Sequence, residues 1–278
     1  MYKVKYKLSE FLIYLLAIMI CIFSLIPIVW SISTSLKPSG ELFMQPPHWI
    51  PKNITFEHYR NVLNNKNMVS YFVNSFIVAF FSTIIALIIG VLGAYGFSRY
   101  KFPGRNTLFY SILFTRILPR VSLVVPFFVT LKNMNLYNKR AGLVFVYLII
   151  TMPLSIWLLK GFIDNTPYEI EEAATIDGCG PLRSLLRILL PINLPAISAV
   201  GMYVFIVAWN EFLFALTMTQ GKTMRTISVG LAFYIDENGI QWGSLMAASI
   251  LMSIPAIIVF SLFQKNLIRG LSEGAVKG

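Results

Sequence analysis

The sequence predicts an all-α polytopic membrane protein with six transmembrane helices. Of its 278 residues 56% are hydrophobic and 13% are charged, whereas soluble domains carry about 25% charged residues. The apolar residues cluster in six runs, each long enough for a helix to cross about 30 Å of hydrocarbon. The segments between the runs are all shorter than the roughly 50 residues that a domain needs. This organisation excludes an ordinary soluble enzyme.

The six runs predict the positions of the spans. The first run continues to Ser35, longer than the apolar core of a cleaved signal peptide, so it predicts a retained membrane helix. Several runs contain a proline, which predicts kinked helices. The cluster Lys3, Lys5 and Lys7 favours a cytoplasmic N-terminus, and six spans return the C-terminus to the same side. The predicted spans are 11–35, 70–97, 107–131, 141–162, 196–218 and 244–264.

Composition also bears on partners and cofactors. The excess of 23 Lys and Arg over 12 Asp and Glu suits lipid headgroups beside membrane spans, and no basic patch interleaved with aromatics indicates nucleic acid. His48 and His58 lack a third metal ligand nearby. Cys21 lies in an apolar run and Cys179 in a polar segment, so we expect no disulfide. We expect neither a metal site nor catalytic residues.

The chain lacks the motif of a phosphate-binding loop. Gly221-Lys222-Thr223 matches the end of that motif, but Leu216 stands where its first glycine is required. We therefore expect no cofactor in this chain, and no ATP bound through such a loop.

The loop after the fourth span predicts a helical hairpin. Thr166 to Glu169 reads as a capping box that starts the first helix, and Gly178 reads as its C-terminal stop. We expect Ile170, Ala173, Ala174 and Asp177 on one face of this helix, and Glu171, Glu172 and Thr175 on the other. A second helix is predicted from Pro181 to just before Pro191. On composition alone, the hairpin either connects two spans or docks a cytosolic partner.

The residues of the hairpin favour docking. Glu172-Ala173-Ala174, then Gly178 and Ile188-x-Leu190-Pro191, resemble the EAA motif of ABC importer permeases. Further likenesses point to the carbohydrate-uptake branch, the relatives of the smaller maltose-permease subunit. The chain departs from the family pattern at Cys179, Leu185 and Arg120. The further likenesses are Asp177, Pro195, Thr115-Arg116, Leu118-Pro119, Trp209-Asn210-Glu211 and the tail Gly274 to Gly278.

The resemblance implies a type I ABC importer permease. It implies one transmembrane permease domain over 1–278, with a core over 70–264, a coupling hairpin over 166–191 and a cytoplasmic tail over 265–278. Such a permease lies in a bacterial or archaeal cell membrane beside a second, non-identical permease. Two ATP-binding subunits hold the ATP and Mg²⁺, and an external binding protein delivers a sugar. The residues expected to dock the ATPase are Glu172, Ala173, Ala174, Ile176, Asp177, Gly178, Leu182 and Leu185.

Polar residues inside the spans are candidates for the translocation path, because burying a charge in a membrane is costly. Arg116 and Arg120 are four apart, which predicts a shared helix face. Arg120 and Glu211 fall at about the same depth, roughly 20 Å from the cytoplasmic side. We expect them to pair, either to fix helix packing or to line the path. Trp209 either stacks on a sugar or joins the interfacial belt, and Asn210 is expected to bind sugar hydroxyls.

Three other functions remain open at this point. The same ABC machinery, with two arginines in its path, would suit an anionic or phosphorylated solute such as glycerol-3-phosphate. An ion-coupled secondary transporter is disfavoured, since Glu211 is the single carboxylate in the predicted spans and no inverted repeat is found. An intramembrane enzyme is disfavoured because the spans hold no nucleophile–base pair. The sequence does not name the sugar.

Overall fold

The protein is predominantly helical. The computed structural model describes residues 2–236 and 239–275. A two-residue antiparallel pairing joins β1 (Ile235–Asp236) to β2 (Gly239–Ile240). The helices are α1 (Tyr2–Ser35), α2 (Glu57–Asn64), α3 (Lys66–Arg99), α4 (Arg105–Phe114), α5 (Val124–Asn133), α6 (Arg140–Asp164), α7 (Glu169–Ile176), α8 (Pro181–Ser184), α9 (Leu190–Ile192), α10 (Leu194–Trp209), α11 (Leu213–Met218), α12 (Ile227–Ala232) and α13 (Trp242–Ala275).

Four described helices are long and apolar enough to cross a membrane, at Glu10–Ser35, Lys66–Arg99, Arg140–Asp164 and Trp242–Lys265. Two bent helix pairs raise the number to six if each pair is one span. The predicted all-α polytopic membrane fold is confirmed. Helix α13 continues to Ala275, so the predicted tail 265–278 begins inside a helix, and its last three residues lie outside the described residues.

The third predicted span is not one helix. Helix α4 is followed by a 3₁₀ turn, an extended Leu118–Pro119 step and a second 3₁₀ turn before α5 begins. The two halves, Arg105–Ile117 and Arg120–Asn133, meet at 102°. Proline forces the preceding residue out of the helical region, and the ψ of Leu118 is 130°. The prediction of a shared helix face for Arg116 and Arg120 is therefore wrong.

The fifth predicted span is also interrupted. Helix α10 ends at Trp209, and α11 begins at Leu213. The Glu211 carboxylate accepts hydrogen bonds from the Phe214 and Ala215 N–H groups, both at 3.0 Å. It thereby satisfies amides that a helix start leaves without intrahelical partners.

Contacts divide the chain into two compact units, Met1–Val69 with Leu231–Ser253, and Ser70–Gly230 with Ile254–Gly278. The first unit contains α1 and the loop after it, where the Ser35 hydroxyl lies 2.8 Å from the Tyr59 hydroxyl. The single permease domain over 1–278 stays a prediction.

The second unit contains the core that positions the hairpin. Apolar side chains from α3, α6 and α10 pack with two leucines of the hairpin, Leu185 and Leu189. Small residues allow the helices to approach closely, as membrane helix interfaces require. A Cβ added at Gly90 of α3 would lie 3.2 Å from Leu159 of α6. The hairpin is therefore packed against the helix bundle through Leu185 and Leu189.

The same unit anchors the loop after α11 through polar contacts. The buried Asn74 amide donates hydrogen bonds to the carbonyls of Thr223, at 2.8 Å, and Arg225, at 2.9 Å. Its oxygen accepts the Arg140 Nε–H at 2.9 Å. These bonds tie the loop to α3 and α6.

Candidate coupling hairpin and path residues

The turn of the hairpin is set by Gly178. Its φ is +81°, a left-handed conformation that glycine adopts without steric cost. The Gly178 N–H bonds the Thr175 carbonyl at 3.0 Å, and the Cys179 N–H bonds the Ala174 carbonyl at 2.9 Å. These two bonds form the Schellman motif that ends a helix. The predicted helix stop at Gly178 is confirmed.

The predicted capping box at the start of α7 is wrong. Helix α7 begins at Glu169, and its N-cap, Tyr168, makes no side-chain capping bond. The Thr166 hydroxyl instead donates to the Phe162 carbonyl at 3.3 Å and accepts the Asn193 amide at 3.1 Å. Thr166 therefore joins the two ends of the hairpin and does not cap its helix.

The second helix of the hairpin passes its predicted end. Between α8 and α9 the chain makes a π-helical turn over Leu185–Leu189, so Pro191 falls in the first turn of α9. The chain then bends by 82° between Pro181–Ile192 and Leu194–Trp209.

The hairpin exposes most of the residues expected to dock a partner. Ile176 is 87% exposed and Leu182 is 61% exposed. Two expected docking residues, Ala174 and Leu185, are instead 5% and 1% exposed and pack inside this chain. The prediction that Ala174 and Leu185 dock a partner is therefore wrong for this structure. The exposed members are Glu172, Ala173, Ile176, Asp177, Gly178 and Leu182.

The opposite face of α7 carries a contact that the sequence analysis missed. Glu171, expected beside Glu172 on one face, is 5% exposed, and its carboxylate accepts the Arg99 Nε–H at 2.5 Å. Arg99 lies 72 positions earlier, at the end of α3. No local spacing links the two residues, so their pairing has no sequence signal of the kind used for helices and caps.

Trp209 does not line an open path in this structure. It is 1% exposed and lies between Phe72 and Phe205, whose ring centroids are 5.4 and 5.8 Å from its own. The expectation that Trp209 stacks on a sugar is therefore wrong for this conformation. Asn210 is exposed, and its amide donates to the Ile206 carbonyl at 2.9 Å.

The predicted pairing of Arg120 with Glu211 is wrong. Glu211 is buried and binds backbone amides of α11, while Arg120 is exposed. Arg116 is also exposed, and its Nη2 donates to the Tyr203 hydroxyl at 3.4 Å. Both arginines therefore flank the Leu118–Pro119 step without a carboxylate in salt-bridge contact among the residues that the structure describes.

Comparison with known families identifies this arrangement. Residues 60–273 match the family described as the binding-protein-dependent transport system inner membrane component. The chain belongs to this family. The match spans the bundle and the hairpin, and the predicted kinship with carbohydrate-uptake ABC permeases is confirmed. The protein is a membrane component of an ABC importer.

Relatives extend over nearly the whole chain. The trehalose/maltose transport system permease protein MalG of Thermococcus litoralis is 36% identical over 98% of each chain. The diacetylchitobiose uptake system permease protein DasC of Streptomyces coelicolor is 30% identical over 94% of this chain and 95% of its own.

Solved structures share the fold. A chain of the bacterial ABC transporter involved in the import of the acidic polysaccharide alginate superposes with a TM-score of 0.78 at 23% identity. The superposition covers 93% of this chain and 97% of that chain. The predicted type I importer permease fold is confirmed.

Proposed function

We propose that this family member moves a sugar or oligosaccharide through the membrane after an external binding protein delivers it. Two relatives, permease proteins for trehalose/maltose transport and for diacetylchitobiose uptake, support a saccharide cargo. ATP is hydrolysed by two separate subunits, and this chain supplies part of the membrane passage. ATP and Mg²⁺ belong to those subunits, and this chain performs no catalysis.

The exposed face of the coupling hairpin carries the proposal. The hairpin is held in the core by Leu185 and Leu189, and it presents Ile176 of α7 and Leu182 of α8 outward. Beside them are the exposed acids Glu172 and Asp177. Apolar anchors within a polar rim are typical of protein interfaces. We propose that this face docks an ATP-binding subunit through Glu172, Ala173, Ile176, Asp177, Gly178 and Leu182.

We further propose that both termini lie in the cytoplasm of a bacterial or archaeal cell, which puts the hairpin on the same side. The apolar helix over Glu10–Ser35 is long enough to cross a membrane, and we propose lipid or a second permease as its neighbour. A non-identical permease would complete the passage.

A second candidate cargo is an anionic or phosphorylated solute. Arg116 and Arg120 are exposed at the bend of the third span, and Glu211 does not neutralise them. Arginine side chains bind carboxylates and phosphates through paired hydrogen bonds. This arrangement supports an acidic cargo of the same ABC machinery.

Reconstitution of the complete complex tests the proposal. The chain is purified with its companion permease, ATPase subunits and binding protein, and uptake of neutral and acidic oligosaccharides into liposomes is measured. We expect uptake only with ATP and binding protein present. Uptake driven by an ion gradient into liposomes holding this chain alone would contradict the proposal. Uptake confined to acidic compounds would favour the second candidate.

A further inference from the structure

We infer that Arg99 is a positioning residue that links the coupling hairpin to the end of α3, so that movement of α7 reaches the membrane bundle. The inference rests on the proposed docking of an ATPase subunit at α7. It adds a residue that lies outside the EAA motif and 72 positions from its partner in the sequence.

The Arg99 guanidinium contacts the hairpin region at three points. Its Nε–H donates to the Glu171 carboxylate at 2.5 Å, and its Nη2 donates to the Thr166 carbonyl at 2.9 Å. Its central carbon lies 5.6 Å from the ring centroid of Tyr168. A planar guanidinium can make these contacts at once, because its donors form a rigid fork.

The carboxylate of Glu171 is also held from α3. The Tyr95 hydroxyl, one helical turn before Arg99, donates to its second oxygen at 3.3 Å. Both oxygens of Glu171 therefore bind donors on α3. Helix α7 would thus contact an ATPase subunit at its outer face and α3 at its inner face. A displacement of α7 by that subunit would therefore be passed on to α3.

Burial distinguishes this ion pair from its neighbour. The side chains of Arg99 and Glu171 are 10% and 7% exposed, whereas those of Lys160 and Asp164 are 17% and 41% exposed. Removing one member of a buried pair leaves an uncompensated charge, while an exposed pair contributes little. Losing one member of the Arg99–Glu171 pair should therefore cost more than losing one member of the Lys160–Asp164 pair, which lies within α6.

The link lies next to the docking face. Consecutive residues of a helix point about 100° apart, so Glu172 faces outward while Glu171 faces α3. Leu185 and Leu189 hold the other half of the hairpin in the core. Loss of Arg99 should therefore loosen α7 while the hairpin stays in place, and the expected defect is in coupling.

The test compares the solute imported per ATP hydrolysed by the reconstituted complex. The variants are Arg99→Gln, Arg99→Lys, Glu171→Gln and the exchange Arg99→Glu with Glu171→Arg. Lys101→Gln is the control, since it removes an exposed cation two residues away. Co-purified ATPase subunit and basal ATP hydrolysis are measured in each sample, because a merely structural defect would lower both.

We expect Arg99→Gln and Glu171→Gln to lower solute per ATP by about tenfold, with ATPase subunit retained and the control unchanged. The exchange should recover part of the ratio, and Arg99→Lys should lie between. An unchanged ratio in Arg99→Gln would overturn the inference. If that variant is not recovered, an unchanged ratio in Arg99→Lys overturns it. A wild-type complex without ATP-dependent uptake would instead count against the proposed function.

Discussion

The coupling hairpin and the broken fifth span each bury one glutamate, and the two carboxylates have different partners. Glu171 of the hairpin binds a guanidinium and a hydroxyl on α3. Glu211 of the fifth span binds two backbone amides a few residues ahead of it. The first carboxylate joins separate elements, and the second stabilises a break within one span.

The comparison shows that the burial of an acidic residue does not by itself reveal its structural role. Both residues satisfy the rule that buried charges must be compensated, but the compensation comes from a distant helix in one case and from the local backbone in the other. We therefore expect loss of Glu171 to affect coupling between elements, and loss of Glu211 to affect the stability of the span.

The largest effect on stability is expected at Glu211. Glu211→Leu leaves the buried Phe214 and Ala215 amides without acceptors, at about 1–3 kcal/mol for each amide. Thermal unfolding of the purified complex measures the loss. Glu211→Gln, which keeps one amide acceptor, should lose less. Asn210→Ala, at an exposed neighbouring position, is the control, and an equal loss there would contradict the capping role.

A smaller effect is expected at the turn of the hairpin. Gly178→Ala places a side chain at a φ of +81°, which costs roughly 1–2 kcal/mol. Gly180→Ala is the matched control, because Gly180 has a φ of −72° and open space around it. Unfolding free energies and uptake rates should fall for the first variant alone. Equal unfolding free energies and uptake rates for the two variants would show that the conformation of Gly178 is not required.

Glu172→Lys should leave stability within about 0.5 kcal/mol, as is usual for an exposed position. The amount of ATPase subunit that co-purifies should nevertheless fall about tenfold, because the charge facing the partner is reversed. Glu169→Lys, exposed on the same helix, is the control. A similar fall in both variants would indicate a general charge effect and not a docking contact at Glu172.

The smallest value is expected for the coupling between Arg120 and Glu211. A double-mutant cycle with Arg120→Leu and Glu211→Leu should give an interaction free energy below about 0.5 kcal/mol. The same cycle with Arg99→Leu and Glu171→Leu should give at least about 1 kcal/mol. Coupling of the first pair equal to the second would restore the pairing that the sequence predicts.

Local rules explain what the sequence predicts well. Hydropathy locates the spans because the hydrocarbon thickness sets their length, and Gly178 is recognisable as a stop because few residues adopt its conformation. The EAA resemblance locates the hairpin, but it does not distinguish the exposed Glu172 from the buried Glu171.

The errors concern long-range contacts and local bends. The depth of Arg120 and Glu211 is counted along straight helices, yet the third span bends by 102° and the fifth is interrupted after Trp209. The capping box fails for a related reason. Thr166 satisfies Asn193, 27 positions later, and a distant partner of this kind leaves no periodic pattern in the sequence.

Cross-linking from the turn of the hairpin tests the central claim, that its exposed face docks an ATPase subunit. Cys21 and Cys179 are replaced by serine, and a photoreactive maleimide is attached at Ile176→Cys, with Lys101→Cys as the exposed control. We predict that Ile176→Cys captures the ATPase subunit of the intact complex and that Lys101→Cys does so far less. Capture from Lys101→Cys without capture from Ile176→Cys, while the ATPase subunit co-purifies, would contradict it.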